Sequence, residues 1–428
     1  MHILHLIQAY GRELGGGPRY FQEISERLVR EGHSVTVWTT NALESEYFWN
    51  RRKPHLPAGR EVIAGVVVER FPVRHLPWHW KTCRLLGLVG PAALRPWVEP
   101  PTPLLPALWR RTLRPPPVDL VHASGLPLDS IMQAGFQVAR RRRVPYLTTP
   151  LIHFGRGNAA DAAETDRFYQ RPHQRRFLRE SAVVFVQSRA EADFVAAQGV
   201  SRERIQLLGM GIDPVALQGG VAERFRQRVG FREPLVLHIA GKALAKGSAD
   251  LVEAMKRLWD RGCPARLVLL GRSMNDFARY FEPQAAALRG RCFDLGFVDE
   301  ETKKDALAAC DLFAMPSKAD SFGIVYLEAW FYGKPVIGAR AGGVPDLIED
   351  GQDGLLVEFG DVPALAAAIE HLLHNPAQAA AMGARGRQKV LSRYTWEHKY
   401  ALLRECYERC VRREGTQGIT PHASRITR

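Results

Sequence analysis

Apolar and polar positions divide this chain in the same way twice. Ile3 to Gln8 reads as a strand, Gly15 to Gly17 follow as a tight loop, and Tyr20, Phe21, Ile24, Leu28 and Val29 recur at helical spacing. Gly32 ends that helix and Ser34 to Trp38 reads as the next strand. The pattern returns as Leu235 to Ile239, a glycine-flanked loop from Gly241 to Gly247, a helix with Leu251, Val252, Met255, Leu258 and Trp259 inward, then Gly262 and the strand Arg266 to Leu270. Two such openings predict an α/β protein of two doubly wound, Rossmann-like domains. Pro145 to Thr149 and Ala182 to Gln187 read as further strands, Glu191 to Ala197 as a helix, and Trp396 to Val411 as an amphipathic helix.

The pattern is broken most pointedly between Met315 and Asp346. Ile324 to Tyr332 is an apolar run whose single charge is Glu328, and a carboxylate there is expensive unless something pairs with it. Asp320 stands eight residues earlier, roughly 12 Å along the axis of a helix that starts near Ser321. The N–H groups of Ser321, Phe322, Gly323 and Ile324 would then be the open donors of that helix start, a place that favours an anion. A diphosphate satisfies both features. The spacing fits equally well an Asp320 N-cap beside an ordinary buried helix with Glu328 bonded to backbone.

Composition narrows the partners. A chain of 428 residues with 46% apolar content holds two or three cores. Its net charge of +14 attracts polyanions, whether nucleic acid, anionic membrane or phosphorylated substrates. MHILHLIQAYGREL fits a buried first strand rather than a signal peptide, and no eighteen-residue apolar run occurs. Six cysteines without a C-x-x-C pair give no metal or disulfide framework, so a cytoplasmic setting is expected. Neither glycine loop combines G-x-G-x-x-G with an acid ending its second strand, which argues against a nicotinamide or flavin. Residues 75–117 mix Trp, Leu and Pro with Arg and almost no acid. They read either as an insertion packed on its own domain or as a membrane- or acceptor-facing segment.

Asp320, seven residues, Glu328, then Gly333 to Val336 and Gly342 to Asp346 closely resemble the donor-site signature of retaining GT-B glycosyltransferases of the family 4 group. The resemblance covers Ile3 to about Val411 and implies two facing domains, residues 1–213 on the acceptor side and 214–395 for the nucleotide sugar. It implies a helix, 396–413, that crosses back to the first domain, and composition leaves 414–428 as a disordered tail. By the same resemblance Glu328 holds the ribose hydroxyls and Asp320 the transferred sugar. Lys242 and Lys246 neutralise the diphosphate, His153 contacts the sugar, and Gly16 and Gly17 line the donor. Phe297 and Val298 meet the base, and Gly209 to Pro214 closes the first domain. In this family pattern the first acid is usually Glu and Arg is commoner where Lys242 stands.

The implied activity is a hexosyltransferase of the 2.4.1 type. It moves a sugar with retention from a UDP- or GDP-linked donor to a hydroxyl of a glycan or lipid-linked acceptor, in cell-surface polysaccharide or glycolipid synthesis. The chain lacks an Asp-x-Asp pair, so no metal and no other cofactor is expected. Nucleic acid is not expected as a partner, whereas an anionic surface on the inner face of the cell membrane is. Two other readings stay open: an epimerase or hydrolase of nucleotide sugars on the same scaffold, and a non-enzymatic basic binding protein.

Overall fold

The computed structural model describes residues 1–11, 15–152, 168–318 and 320–416, with side chains to residue 412. Among these the strands form two sheets. The first comprises β1 His2–Leu6, β2 Ser34–Thr40, β3 Gly59–Ile63, β4 Val66–Phe71, β5 Leu120–Ser124, β6 Tyr146–Thr149, β7 Val183–Val186 and β8 Ile205–Leu207. Its order is β3-β4-β2-β1-β5-β6-β7-β8, parallel except for the β3–β4 hairpin at one edge. The second comprises β9 Leu235–Ile239, β10 Arg266–Leu270, β11 Cys292–Gly296, β12 Leu312–Met315, β13 Val336–Ala339 and β14 Gly354–Val357, all parallel, in the order β11-β10-β9-β12-β13-β14.

Central strands are apolar throughout because helices cover both faces. In β1, Ile3 packs into one apolar cluster and Leu4 into the other. The first of these clusters continues through Leu208, Met210 and Ile212 to Trp396, Tyr400 and Leu403, and on into the second domain. The sheets therefore share apolar packing where the chain crosses between them. The helix Trp396–Thr416 lies against the first domain. Arg27 bonds Glu397 at 2.9 Å, Tyr400 and Arg404 bond Glu31 at 2.7 and 3.0 Å, and the Tyr407 hydroxyl meets His5 at 3.1 Å and His122 at 2.5 Å. Helical structure runs to Thr416, three residues into the stretch expected to be disordered; residues 417–428 lie outside the described residues.

Residues 75–117 form short helices, among them His79–Val89, Arg95–Val98 and Pro106–Leu113. Trp97, Val98, Leu105 and Leu108 anchor them in the first domain's core. The hairpin β3–β4 was not legible in the apolar pattern, since every residue of Gly59–Glu61 faces solvent and its turn is Ala64-Gly65 rather than Asn-Gly.

Candidate functional site

The helix Ile324–Phe331 begins at Gly323, whose φ of 87° is left-handed and whose Cβ, if present, would stand 2.5 Å from the Tyr326 ring. The start therefore falls three residues later than the spacing predicts. Ser321, Phe322 and Gly323 form a bent lead-in, and because Tyr326 N already donates to Gly323 O at 3.0 Å, the helix's own open first-turn N–H groups are those of Ile324, which was expected, and Val325. Phe322 is buried, packed over Gly209 and beside Tyr394, where it serves the domain crossing. The Tyr326 hydroxyl donates to the carbonyl of Met315 and the Trp330 indole to that of Asp353 at 2.8 Å, fixing the helix against the sheet.

Glu328 sits on this helix at 1% exposure. Its Oε1 accepts from Arg19 Nη1 at 2.9 Å and from Lys303 Nζ at 3.2 Å. Arg19 belongs to the helix Gly16–Arg30 of the first domain, Lys303 to the helix Glu300–Ala309 of the second. Burial alone would raise this carboxyl; the charges of Lys303 and Arg19 and their hydrogen bonds outweigh it, so its pKa is lowered and the carboxylate persists. Oε2 is buried with no hydrogen-bond partner among the described residues.

Lys246 Nζ donates to Asp320 Oδ1 at 2.8 Å. The approach is built by the backbone: Gly247, at φ 68°, would place a Cβ 2.3 Å from the carbonyl oxygen of Pro316, and Lys318 N donates to Ala245 O at 3.0 Å. His238 supports this loop from inside. Its Nδ1 donates to Ala314 O and its Nε2 accepts from Ser248 Oγ, both at 2.8 Å, and burial lowers its pKa to about 4, so the ring is neutral. The Gly342-Gly343 pair presses on the other side of Asp320. Cβ atoms there would lie 2.3 Å from Asp320 O and 2.1 Å from Ser321 O, while Gly343 N donates to Asp320 O at 2.8 Å. Asp346 then accepts from the backbone N–H of Arg189, across the domain boundary.

The glycine loop of the first domain arrives at the same place: a Cβ on Gly16 would lie 3.5 Å from Ile324 Cδ1, and one on Gly17 2.9 Å from Leu151 Cδ1. Lys242 does not join this group. Its backbone bridges Ser273, its side chain is 1% exposed, and its ammonium pairs with Asp294. In this structure its ammonium is taken up by Asp294 of β11. Phe297, 62% exposed, follows β11 with Val298 and carries the Arg272 guanidinium 5.4 Å from its ring centroid. Arg272 also bonds Glu44 of the first domain at 2.8 Å. His153 lies outside the described residues.

Sequence reasoning missed Arg19 and Lys303. The first had a signal, since it follows the glycine loop by one turn; the second is one of two adjacent lysines in a charged helix and had none. These residues make two ion-paired groups, Glu328 with Arg19 and Lys303, and Asp320 with Lys246, carried by the two ends of one stretch and drawn from both domains. Such groups can hold a polyol through carboxylate oxygens and an anion through ammonium and guanidinium groups.

Comparison with known proteins gives the same picture. A model of the glycosyl transferase 4-like domain matches residues 15–211, and one of glycosyl transferases group 1 matches residues 221–389. A GDP-mannose-dependent alpha-(1-6)-phosphatidylinositol monomannoside mannosyltransferase of Mycolicibacterium smegmatis is 30% identical over 52% of this chain and 61% of its own length. The sulfoquinovosyl transferase SQD2 of Arabidopsis thaliana is 29% identical over 54% of this chain and 45% of its own. The chain thus matches only about half of the length of these relatives. Among solved structures, Anabaena Alr3699/HepE in complex with UDP-glucose superposes with a TM-score of 0.69 at 21% identity, over 96% of this chain and all of that one. WaaG, a glycosyltransferase involved in lipopolysaccharide biosynthesis, gives 0.63 at 18% identity over 98% and 100%. The fold is GT-B, and the chain belongs to the group 1 glycosyl transferases.

Proposed function

We propose that the chain transfers a hexosyl group, with retention, from a UDP- or GDP-linked sugar to a hydroxyl of a glycan or lipid-linked acceptor, without a metal, at the inner face of the cell membrane. The observation that carries this reading is Glu328. Its carboxylate is ionised in a buried place, with one oxygen doubly paired and the other left for a ligand. A carboxylate oxygen accepts and never donates, so the group it awaits is a hydroxyl or N–H donor. The ribose of a nucleotide is such a group. Lys246 beside Asp320 then serves the phosphate and the sugar. One relative is named as GDP-mannose-dependent and one structure of the same fold is in complex with UDP-glucose, which supports the same ligand class.

In the proposed reaction the bond from the anomeric carbon to the diphosphate oxygen breaks and a bond to the acceptor oxygen forms on the same face. The acceptor proton passes to the departing phosphate. Lys246 and Arg19 stabilise the charge on that phosphate, work that a divalent ion does elsewhere. Turnover is therefore expected to survive EDTA, and a strict requirement for magnesium would remove this part of the proposal.

The direct test is a thermal-shift screen against UDP, GDP, ADP, dTDP and NAD. A nucleotide in hundredfold excess over its dissociation constant adds roughly 2.7 kcal/mol to the folded state. One nucleoside diphosphate should raise the melting temperature of the wild type and leave Glu328→Gln unmoved. A shift with NAD alone, or sugar released or epimerised without any acceptor, would overturn the reading.

A further inference from the structure

We infer that the helix His79–Val89, with Trp78 at its start, docks this protein on an anionic lipid bilayer. The helix is attached by a narrow stripe. His79, Cys83 and Gly87, spaced four apart, are its buried residues, and Arg95 Nε donates to the Gly87 carbonyl at 3.1 Å. A Cβ on Gly87 would meet Val98 and Glu99 at ordinary contact distance, so the stripe seats the helix beside the Arg95–Val98 helix.

The opposite face is uncovered and, apart from Lys81, apolar. Trp78 is 83% exposed, Leu85 57%, Leu88 67% and Val89 73%. At 3.6 residues per turn these four fall within a sector about 100° wide, centred away from the buried stripe. Trp80, 45% exposed, lies beside the buried stripe and packs edge-on to Trp49. A water-facing helix seldom carries this set, whereas a helix lying in a bilayer interface does.

Charge selects the occupant. From His75 to Val98 the sequence contains no Asp or Glu, and its charges are Lys81, Arg84 and Arg95. Lys81 lies within the apolar sector with its ammonium 5.9 Å from the Trp78 ring, and Arg84 at its edge, where long side chains reach a headgroup layer. Beside the helix, a cavity of about 520 Å³ is walled by Ala92, Ala93, Arg95, Glu99, Arg171 and Arg176; Arg171 pairs with Glu99 and Asp129 and Arg176 with Glu180, so the free positive charge is that of the helix segment itself. A second protein copy with the same face would bring cations against cations. An anionic membrane brings phosphates to them and hydrocarbon to the exposed apolar face. The proposal gives the membrane partner of the functional reading a place, and it stands without the donor-site assignment.

The test is flotation of the full chain with phosphatidylcholine vesicles, with and without phosphatidylglycerol. The wild type should float with the anionic vesicles and be released by salt. Trp78→Asn/Leu88→Gln/Val89→Gln should lose at least about tenfold in binding. Lys81→Glu/Arg84→Glu should lose about twentyfold or more, since each cation near such a surface contributes roughly fivefold. All these side chains face water, so melting temperature and nucleotide binding should match the wild type in both variants. Three results would overturn the proposal: no binding by the wild type, binding undiminished in the triple variant, or a wild-type dimer that the triple variant converts to monomer.

Discussion

Glu328 shows how a single residue is costly alone and stable in company. Removing a partner from a buried ion pair costs about 3–5 kcal/mol when nothing replaces it. Here two cations share one oxygen, so Arg19→Met leaves Lys303 in place and should destabilise by less than that. The remaining single cation opposes burial less well, and the carboxyl pKa must rise. The acid limb of the pH–rate profile of Arg19→Met should therefore move to higher pH than in the wild type. An unmoved limb would detach Arg19 from the chemistry. Glu328→Gln keeps an acceptor for Arg19, so it should stay folded while losing at least about a hundredfold in turnover. Much of this was legible in advance: a lone acid in an apolar helix demands a partner. The partner's identity was not, because Arg19 lies 309 residues away and meets Glu328 only when two domains face each other. The two loop lysines illustrate the converse. Four residues apart in one sequence motif, they were read alike, yet a backbone bridge to Ser273 turns Lys242 inward to Asp294.

Among the elements, the strands Leu235–Ile239 and Arg266–Leu270 were read to the residue, because each is an apolar run bounded by turn residues and buried on both faces. The helix at Ile324 was placed too early since nothing in Ser321-Phe322-Gly323 announces a left-handed glycine. The terminal helix was read correctly as amphipathic, but its polar work was invisible. Tyr407 stands between two imidazoles in a directed chain. Thr149 donates to His122 Nε2, His122 Nδ1 donates to the Tyr407 oxygen, Tyr407 donates to His5 Nε2, and His5 Nδ1 donates to Ser25, which donates onward to Phe21 O. That order works with both rings neutral. Burial lowers His5 to about 3 and holds His122 well below its usual value. The unfolded chain takes up these protons below about pH 6.5 and the folded one does not, so stability should fall as pH drops from 6.5 toward 3. The slope is about 1.4 kcal/mol per pH unit for each ring, readable by urea denaturation. Tyr407→Phe orphans two buried nitrogens and should cost about 2 kcal/mol at neutral pH. A loss below 0.5 kcal/mol, roughly the floor for a made hydrogen bond, would show that the chain carries no weight. The loop Gly342-Gly343 permits a sharper test. Gly343→Ala drives a methyl into the Ser321 carbonyl, with an expected loss of about 1–3 kcal/mol together with weaker nucleotide binding.

At the scale of the molecule, two repeats of one folding pattern predicted two domains, and the glycines, periodic helices and apolar strands all agreed on it. Less legible was how the halves meet, which depends on contacts no periodicity encodes: Arg272 with Glu44, Asp346 with Arg189, Gly16 with Ile324. The chain passes between the domains twice, and the two passages are stitched together. Ile212 N donates to Tyr394 O at 2.8 Å, Trp396 N donates to Ile212 O at 2.9 Å, and Gly211 has no room for a side chain against Trp396. A body held by one strand can swing and twist in any direction; one held by two strands pinned side by side turns as a door does, about the line of its pins. Any relative motion of the two domains would pivot about this paired crossing, and Arg19 and Glu328, which sit on opposite sides of it, would part and meet along that arc.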